Sequence, residues 1–113
     1  MAILTVVFLL GCSSNKGKIE GTKWSSDAGM HEGQSVPAGK LKFEFRRDGS
    51  LVYVAGPLTL TGKYSLGMGD RVTLNLDQEL AGTKQHVEKV VIANDKLTMT
   101  DGDGTSITFS KVN

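Results

Sequence analysis

Two histidines and one Asp-Gly repeat are the residues of this sequence whose types could support chemistry. The adjacent His31 and Glu32 could form an acid–base pair or half of a metal site. Adjacent side chains rarely converge on one point, and no further ligand lies near in the sequence, so we expect a solvated loop. His86 has no evident partner, and we expect an ordinary strand residue. Residues 101–104 match part of a calcium loop but lack its later glutamate, which favours a hairpin turn.

Nucleophiles and charge patterns are equally sparse. Cys12 is the only cysteine, so the chain has no intrachain disulfide, and no histidine lies near it in the sequence. Four basic residues between positions 40 and 47 are interrupted by Glu44, and the net charge of +1 gives no long-range field for nucleic acid. The sequence therefore predicts a protein that is not an enzyme, has no catalytic, metal or cofactor site, and does not bind nucleic acid.

The N-terminus carries an apolar run over residues 2–10. Its length suits the apolar region of an export signal, about 7–15 residues, and falls short of the ~20 residues needed to span a bilayer as a helix. A polar, serine-containing stretch follows over residues 13–18. The run does not alternate as a half-buried strand would. A cleavable signal sequence is therefore favoured over a first core element or a membrane-spanning anchor. A secreted form without lipid would carry the same signal and is the alternative to a lipid-anchored form.

The residues Leu9, Leu10, Gly11 and Cys12 resemble the lipobox of bacterial lipoproteins, although Leu10 is bulky for its place and no Lys or Arg precedes the apolar run. The resemblance implies cleavage before Cys12 and acylation of its thiol with fatty chains such as palmitate. It thus predicts a protein anchored to a membrane of the bacterial cell envelope, facing the periplasm or the exterior. The predicted divisions are a signal peptide at 1–11, an acylated cysteine with a polar tether at 12–17, and a β domain at 18–113.

The remaining chain alternates apolar and polar residues with a period of two, which is typical of antiparallel strands with one wet face. Turn residues separate these segments, including Asp48-Gly49, read as a two-residue hairpin turn, and weaker signals at residues 81–83. We predict an all-β fold: one antiparallel up-and-down barrel or strongly curled sheet of about eight short strands. Residues 25–38 are predicted as a long connection across one end of the sheet, with room for a turn of helix.

This body is similar to the small lipocalin-like domains found in bacterial lipoproteins. The similarity rests on generic β patterns: the opening Gly21-Thr22-Lys23-Trp24, the strand and turn at 41–49, residues 62–65, and the closing 96–109. It implies an up-and-down barrel that sometimes holds a ligand in its mouth. It also implies a basic residue packed over the opening tryptophan. Lys111 is the candidate by position, with Arg71 second, and the alternative is a Trp24 that is simply part of the core.

Large side chains fill the predicted inward positions, and a dry void of ~300 Å³ would cost ~7 kcal/mol. This cost favours a filled barrel that binds partners at its rim or outer surface, whereas a wet, open mouth would cost less and stays the alternative. The predicted function is a non-enzymatic, membrane-anchored envelope module that binds a protein or polymer. The alternative is a lipocalin-like carrier of a small hydrophobic ligand. The predicted inward set is Trp24, Leu41, Phe43, Phe45, Leu51, Tyr53, Leu58, Leu60, Tyr64, Leu66, Val72, Leu74, Leu76, Val90, Ile92, Leu97, Met99, Ile107 and Phe109.

Overall fold

The computed structural model describes residues 13–31 and 33–113, and these residues form β-strands and turns without a helix. The alternation of apolar and polar side chains explains the strands, because successive side chains of a strand point to opposite faces. The strands are β1 (Thr22–Ser26), β2 (Gly29–His31), β3 (Gln34–Val36), β4 (Leu41–Phe45), β5 (Ser50–Ala55), β6 (Leu58–Leu66), β7 (Arg71–Leu80), β8 (Thr83–Ala93), β9 (Lys96–Thr100) and β10 (Ser106–Val112).

Eight of these strands close into an antiparallel barrel in the order β1-β10-β9-β8-β7-β6-β5-β4, with β1 paired to β4. The predicted all-β, up-and-down barrel is thereby confirmed. Closure gives every strand two neighbours and removes the exposed edges of an open sheet. Consecutive hairpins alternate between the ends, so the turns at 46–49, 67–70 and 94–95 lie at one end of the barrel. The turns at 56–57, 81–82 and 101–105 lie at the other end, which we call the mouth.

The long connection between β1 and β4 contains a two-stranded hairpin, β2 paired with β3, in place of the turn of helix for which residues 25–38 left room. β2 lies against β10. Asp27 anchors the start of this connection, since its carboxylate accepts hydrogen bonds from Ser110 Oγ at 2.6 Å and from Lys96 Nζ at 2.9 Å. These charged hydrogen bonds lower the pKa of Asp27 below its ordinary value.

Two turns show how the sequence sets the hairpins. Ala81 and Gly82 form the two-residue turn between β7 and β8, and both have positive φ, 54° and 86°. Such a turn matches the right-handed twist of the flanking strands. The predicted two-residue turn at Asp48-Gly49 is wrong, because β4 ends at Phe45 and β5 begins at Ser50. The four intervening residues are held by the Asp48 carboxylate, which accepts hydrogen bonds from the Ser50 amide and hydroxyl.

The end of the barrel opposite the mouth is closed by the segment that precedes β1. Asn15 is only 1% exposed, and its Nδ2 donates to the carbonyl of Val90 at 3.0 Å. β7 begins at Arg71, so Val90 lies just beyond the paired residues of β7 and β8. The Val90 amide donates to the Asp70 carbonyl at 2.8 Å, and the Val90 carbonyl accepts from Asn15 instead of from β7. Ile19 is fully buried under the barrel. Asn15, which lies in the predicted tether, is therefore packed against the barrel.

The hydrophobic core fills the closed half of the barrel, and most of the predicted inward residues contribute to it. Leu58 does not, because it lies where β6 begins at the mouth, and it is 43% exposed. Ile19 also belongs to the core, although the predicted inward set did not include it, and it precedes β1 rather than opening the first strand. The fully buried side chains of this half include Trp24, Phe45, Phe109, Ile19, Leu51, Leu97, Val72 and Val90.

Candidate functional site

The mouth half of the barrel holds a partly open cavity of about 450 Å³, which we call the mouth cavity. Its volume lies within the ~300–1,000 Å³ range of small-molecule sites. Apolar side chains from four strands, β4, β7, β9 and β10, form most of its wall, and polar side chains are confined to β5, β8 and the turn after β9. The lining residues are Leu41, Phe43, Tyr53, Leu74, Leu76, Leu80, Ala81, His86, Glu88, Met99, Asp101, Asp103, Thr105, Ile107 and Phe109.

The expectation of a filled barrel is thus wrong for the mouth half. The cost of ~7 kcal/mol applies to a dry, enclosed void. This cavity instead opens at the mouth and is lined by carboxyl groups that water can solvate. A hydrated space of this kind escapes the cost of ~24 cal/mol per Å³ that applies to an empty apolar void. The long β7–β8 hairpin extends the wall past the packed core through Leu80 and Ala81, which creates the room.

Glu88 is the acidic residue that the barrel wall itself directs inward. It pairs with Val72, which is fully buried, and paired residues of neighbouring strands share a face. Burial, together with the negative charges of Asp101 and Asp103, raises the pKa of Glu88 to about 7. No hydrogen-bond donor contacts its carboxyl group within the described part of the chain. A half-buried carboxyl without a counter-ion is costly in free energy when ionised.

The other polar groups of the mouth cavity come from one strand and one turn. Asp101 and Asp103 lie in the turn between β9 and β10, where each accepts a hydrogen bond from the Thr105 amide, at 3.1 Å and 2.9 Å. His86 lies on β8 two residues before Glu88, and its Nε2 is 3.0 Å from the carbonyl oxygen of Thr83. The predicted hairpin turn at residues 101–104 is confirmed, and so is the place of His86 in a strand.

Aromatic rings form one side of the cavity. The rings of Phe43 and Tyr53 stack with their centroids 4.5 Å apart, and the edge of Phe109 meets Phe43 at 5.4 Å. Burial, with the nearby charge of Glu88 as a second cause, raises the pKa of the Tyr53 hydroxyl. The cavity therefore combines aromatic faces, an aliphatic wall and carboxyl groups of one sign.

The predicted pair of Trp24 and Lys111 is brought together in register, since these residues lie opposite each other on β1 and β10. Trp24 is buried, Lys111 is exposed, and the Trp24 indole Nε1 donates to Thr22 Oγ1 at 2.8 Å. Arg71, the second candidate, lies on β7 and is not paired with β1. The cation–π contact between Lys111 and Trp24 stays a prediction.

Most of the remaining predicted site residues precede the described part of the chain. Leu9, Leu10, Gly11 and Cys12 lie outside the described residues, as does Glu32, so lipidation and signal recognition stay predictions. The backbone of His31 ends β2. In the basic spot, Arg46 Nε forms an exposed ion pair with Glu44 at 3.0 Å. Among residues 13–31 and 33–113, no cluster of three His, Cys, Asp or Glu side chains could hold a metal ion.

A second recess lies on the outer surface, which we call the outer groove. It is lined by Val52 and Val54 of β5, by Val112 of β10, and by charged residues of β1 and β4. Val112 is 43% exposed. The groove has a volume of about 420 Å³ and carries both signs of charge, from Lys23, Lys42 and Glu44.

Comparisons with protein-family models, with curated proteins and with solved structures find no match for this chain. Over the described residues, no helix is long and apolar enough to cross a membrane. The fold defines the protein as a small, closed, eight-stranded antiparallel β-barrel.

Proposed function

We propose that this protein is a membrane-anchored, lipocalin-like carrier that binds a small hydrophobic ligand in its mouth cavity. The observation that supports this proposal is the space of about 450 Å³ between apolar strands, open at one end only of a barrel whose other end is plugged by Ile19 and Asn15. A barrel of eight strands is just wide enough to hold one small molecule. Apolar side chains that line a space without filling it favour a role in binding over a purely structural role.

The anchor in this proposal is the acyl group on Cys12, the residue before the described chain begins at Ser13. Ser13 pairs with Gly69, and the Ser14 amide donates to the Gly69 carbonyl at 2.8 Å, so the chain leaves the barrel beside the 67–70 turn. An acylated Cys12 would hold that end against the membrane of the cell envelope and turn the mouth away from it. Two or more acyl chains would make such an anchor stable.

A cavity-filling variant tests the carrier function. Ile107→Trp adds volume to a partly buried cavity residue of β10, and Val87→Trp adds the same side chain to the outer face of β8 as a matched control. We expect the full chain to bind the neutral dye N-phenyl-1-naphthylamine at one site, Ile107→Trp to weaken this binding at least about ten-fold, and Val87→Trp to leave it unchanged. Equal binding by all three proteins would contradict the proposal.

A second candidate function is the non-enzymatic interaction module that binds a protein or polymer at the envelope. The outer groove favours it, because Val52, Val54 and Val112 leave apolar surface on the outside of a barrel face. This candidate predicts that Val54→Asp releases a co-purified partner while dye binding in the mouth cavity continues. Dye binding that is unchanged in Val54→Asp, with no partner released, would favour the carrier.

The anchor is tested by the intact mass of the protein recovered from bacterial membranes. We expect a mass that lacks residues 1–11 and includes at least two fatty acyl chains. Cys12→Ser should abolish both changes and release the protein from the membrane fraction. A wild-type protein of unprocessed mass with a free thiol would contradict the lipoprotein assignment.

A further inference from the structure

We infer that the ligand of the mouth cavity is an organic cation: an amine or quaternary ammonium group attached to an apolar body. This inference rests on the proposed carrier function and names the chemical class of its ligand. The apolar body would lie between Leu74, Met99 and Phe109, and the cationic group would face Glu88 at the mouth.

The charges that line the cavity all have one sign. Glu88 on β8 and Asp101 and Asp103 in the β9–β10 turn are acidic, while no Lys or Arg of the described chain lines this space. The other titratable groups that line the cavity are His86 on the same strand and Tyr53 on β5. Beyond the cavity, Glu88 also borders an outer recess that contains Asp70, Arg71 and Lys89. The lining residues from β4, β7, β9 and β10 are apolar. A fatty acid or another anion would be repelled, and a neutral ligand would leave the carboxyl of Glu88 without a counter-charge.

Aromatic faces supply a second, independent reason for a cation. Phe43 and Tyr53 stack at 4.5 Å, and the two rings line the same cavity as Glu88. Aromatic faces attract ammonium groups, most strongly quaternary ones that hold little water. The three carboxyls do not form a cluster that could hold a metal ion within the described chain. The combination therefore fits a large, weakly hydrated organic cation better than a metal.

A bound cation would account for a carboxyl group that points into the barrel without a counter-charge. An ionised group in a half-apolar space destabilises the ligand-free protein, and burial raises its pKa for this reason. A bound ammonium group would stabilise the ionised form, so ligand binding and loss of the Glu88 proton are linked. The affinity for a cation should therefore rise as the pH increases through about 7.

Three eight-carbon compounds of different charge test the inference: octyltrimethylammonium, octanol and octanoate. The full chain carries Cys12→Ser, so that no acyl chain competes for the cavity, and binding is measured by titration calorimetry at pH 8. We expect octyltrimethylammonium to bind at least about ten-fold more tightly than octanol, and octanoate to bind most weakly. At pH 5.5 this preference should shrink to about two-fold or less.

Two matched variants each remove one negative charge. Glu88→Gln removes it from β8 inside the cavity, and Glu79→Gln removes it from an exposed position on β7. Glu88→Gln should lose the preference for octyltrimethylammonium and its pH dependence but keep octanol binding, and Glu79→Gln should behave as the parent. Equal affinities for all three compounds, or a pH dependence that persists in Glu88→Gln, would overturn the inference and leave the carrier function standing. Absence of binding by any of the three would overturn the carrier function as well.

Discussion

Glu88 projects from β8 into the barrel, so the free energy of unfolding should depend on its proton. The folded protein keeps this proton up to about pH 7, whereas the unfolded chain releases it near 4.5. Between these values the folded state binds more protons, and stability is therefore lost as the pH rises from about 4.5 to 7. Glu88→Gln should stabilise the protein at pH 8 by about 1–2 kcal/mol, allowing for screening by water at the mouth, and should have little effect at pH 4.5. Urea unfolding at both pH values measures the difference, and an equal effect at both would contradict the account.

Asn15 is the residue on which the closed end depends. Its buried side chain donates to the Val90 carbonyl, which has no partner on β7. Asn15→Ala leaves this carbonyl unsatisfied and should lower the free energy of unfolding by about 1–3 kcal/mol. The neighbouring Ser14→Ala changes an exposed side chain and should cost little. A loss no larger than that of Ser14→Ala in urea unfolding would show that residues 13–19 do not plug the barrel.

At the scale of elements, Gly62 lies where the backbone of β7 leaves no room for a side chain on β6. A Cβ placed at this glycine would lie 2.2 Å from the carbonyl oxygen of Asn75 and 2.8 Å from Cα of Leu76. Gly62→Ala must therefore push two paired strands apart, at a cost of about 1–3 kcal/mol. Gly102→Ala, in a turn with open space at the Cβ position, serves as the control. Equal melting temperatures for the two variants would show that the contact between Gly62 and the β7 backbone does not limit the side chain at this position.

The strands that could be predicted from sequence are those with a regular alternation, such as β4, where Phe43 and Phe45 point inward between polar neighbours. In β8 the inward prediction covered only Val90 and Ile92, because His86 and Glu88 put polar residues at inward positions of the same face. The polar residues of the site thus interrupted the pattern that reveals the strand, as functional residues commonly do. The mouth cavity was missed for a related reason, since residues 78–80 of β7 lie beyond the packed core and show no alternation.

At the scale of the whole molecule, the two ends of the barrel differ in what they can contact. The chain leaves the closed end beside Gly69, so an acyl anchor at Cys12 would place the exposed Met68 near the membrane and Pro57 far from it. With a fluorophore on Met68→Cys or Pro57→Cys in the acylated protein, we expect brominated lipids in vesicles to quench only the first. Quenching at Pro57→Cys alone would show the opposite orientation.

Binding inside the mouth is the central claim, and intermolecular nuclear Overhauser effects test it most directly. The full chain is saturated with N-phenyl-1-naphthylamine, and contacts from the dye protons to assigned side chains are measured. The account predicts contacts to Met99, Ile107 and Leu74 of the mouth cavity and none to the outer groove. Contacts confined to Val52, Val54 and Val112 would contradict it and move the binding site to the outside of the barrel.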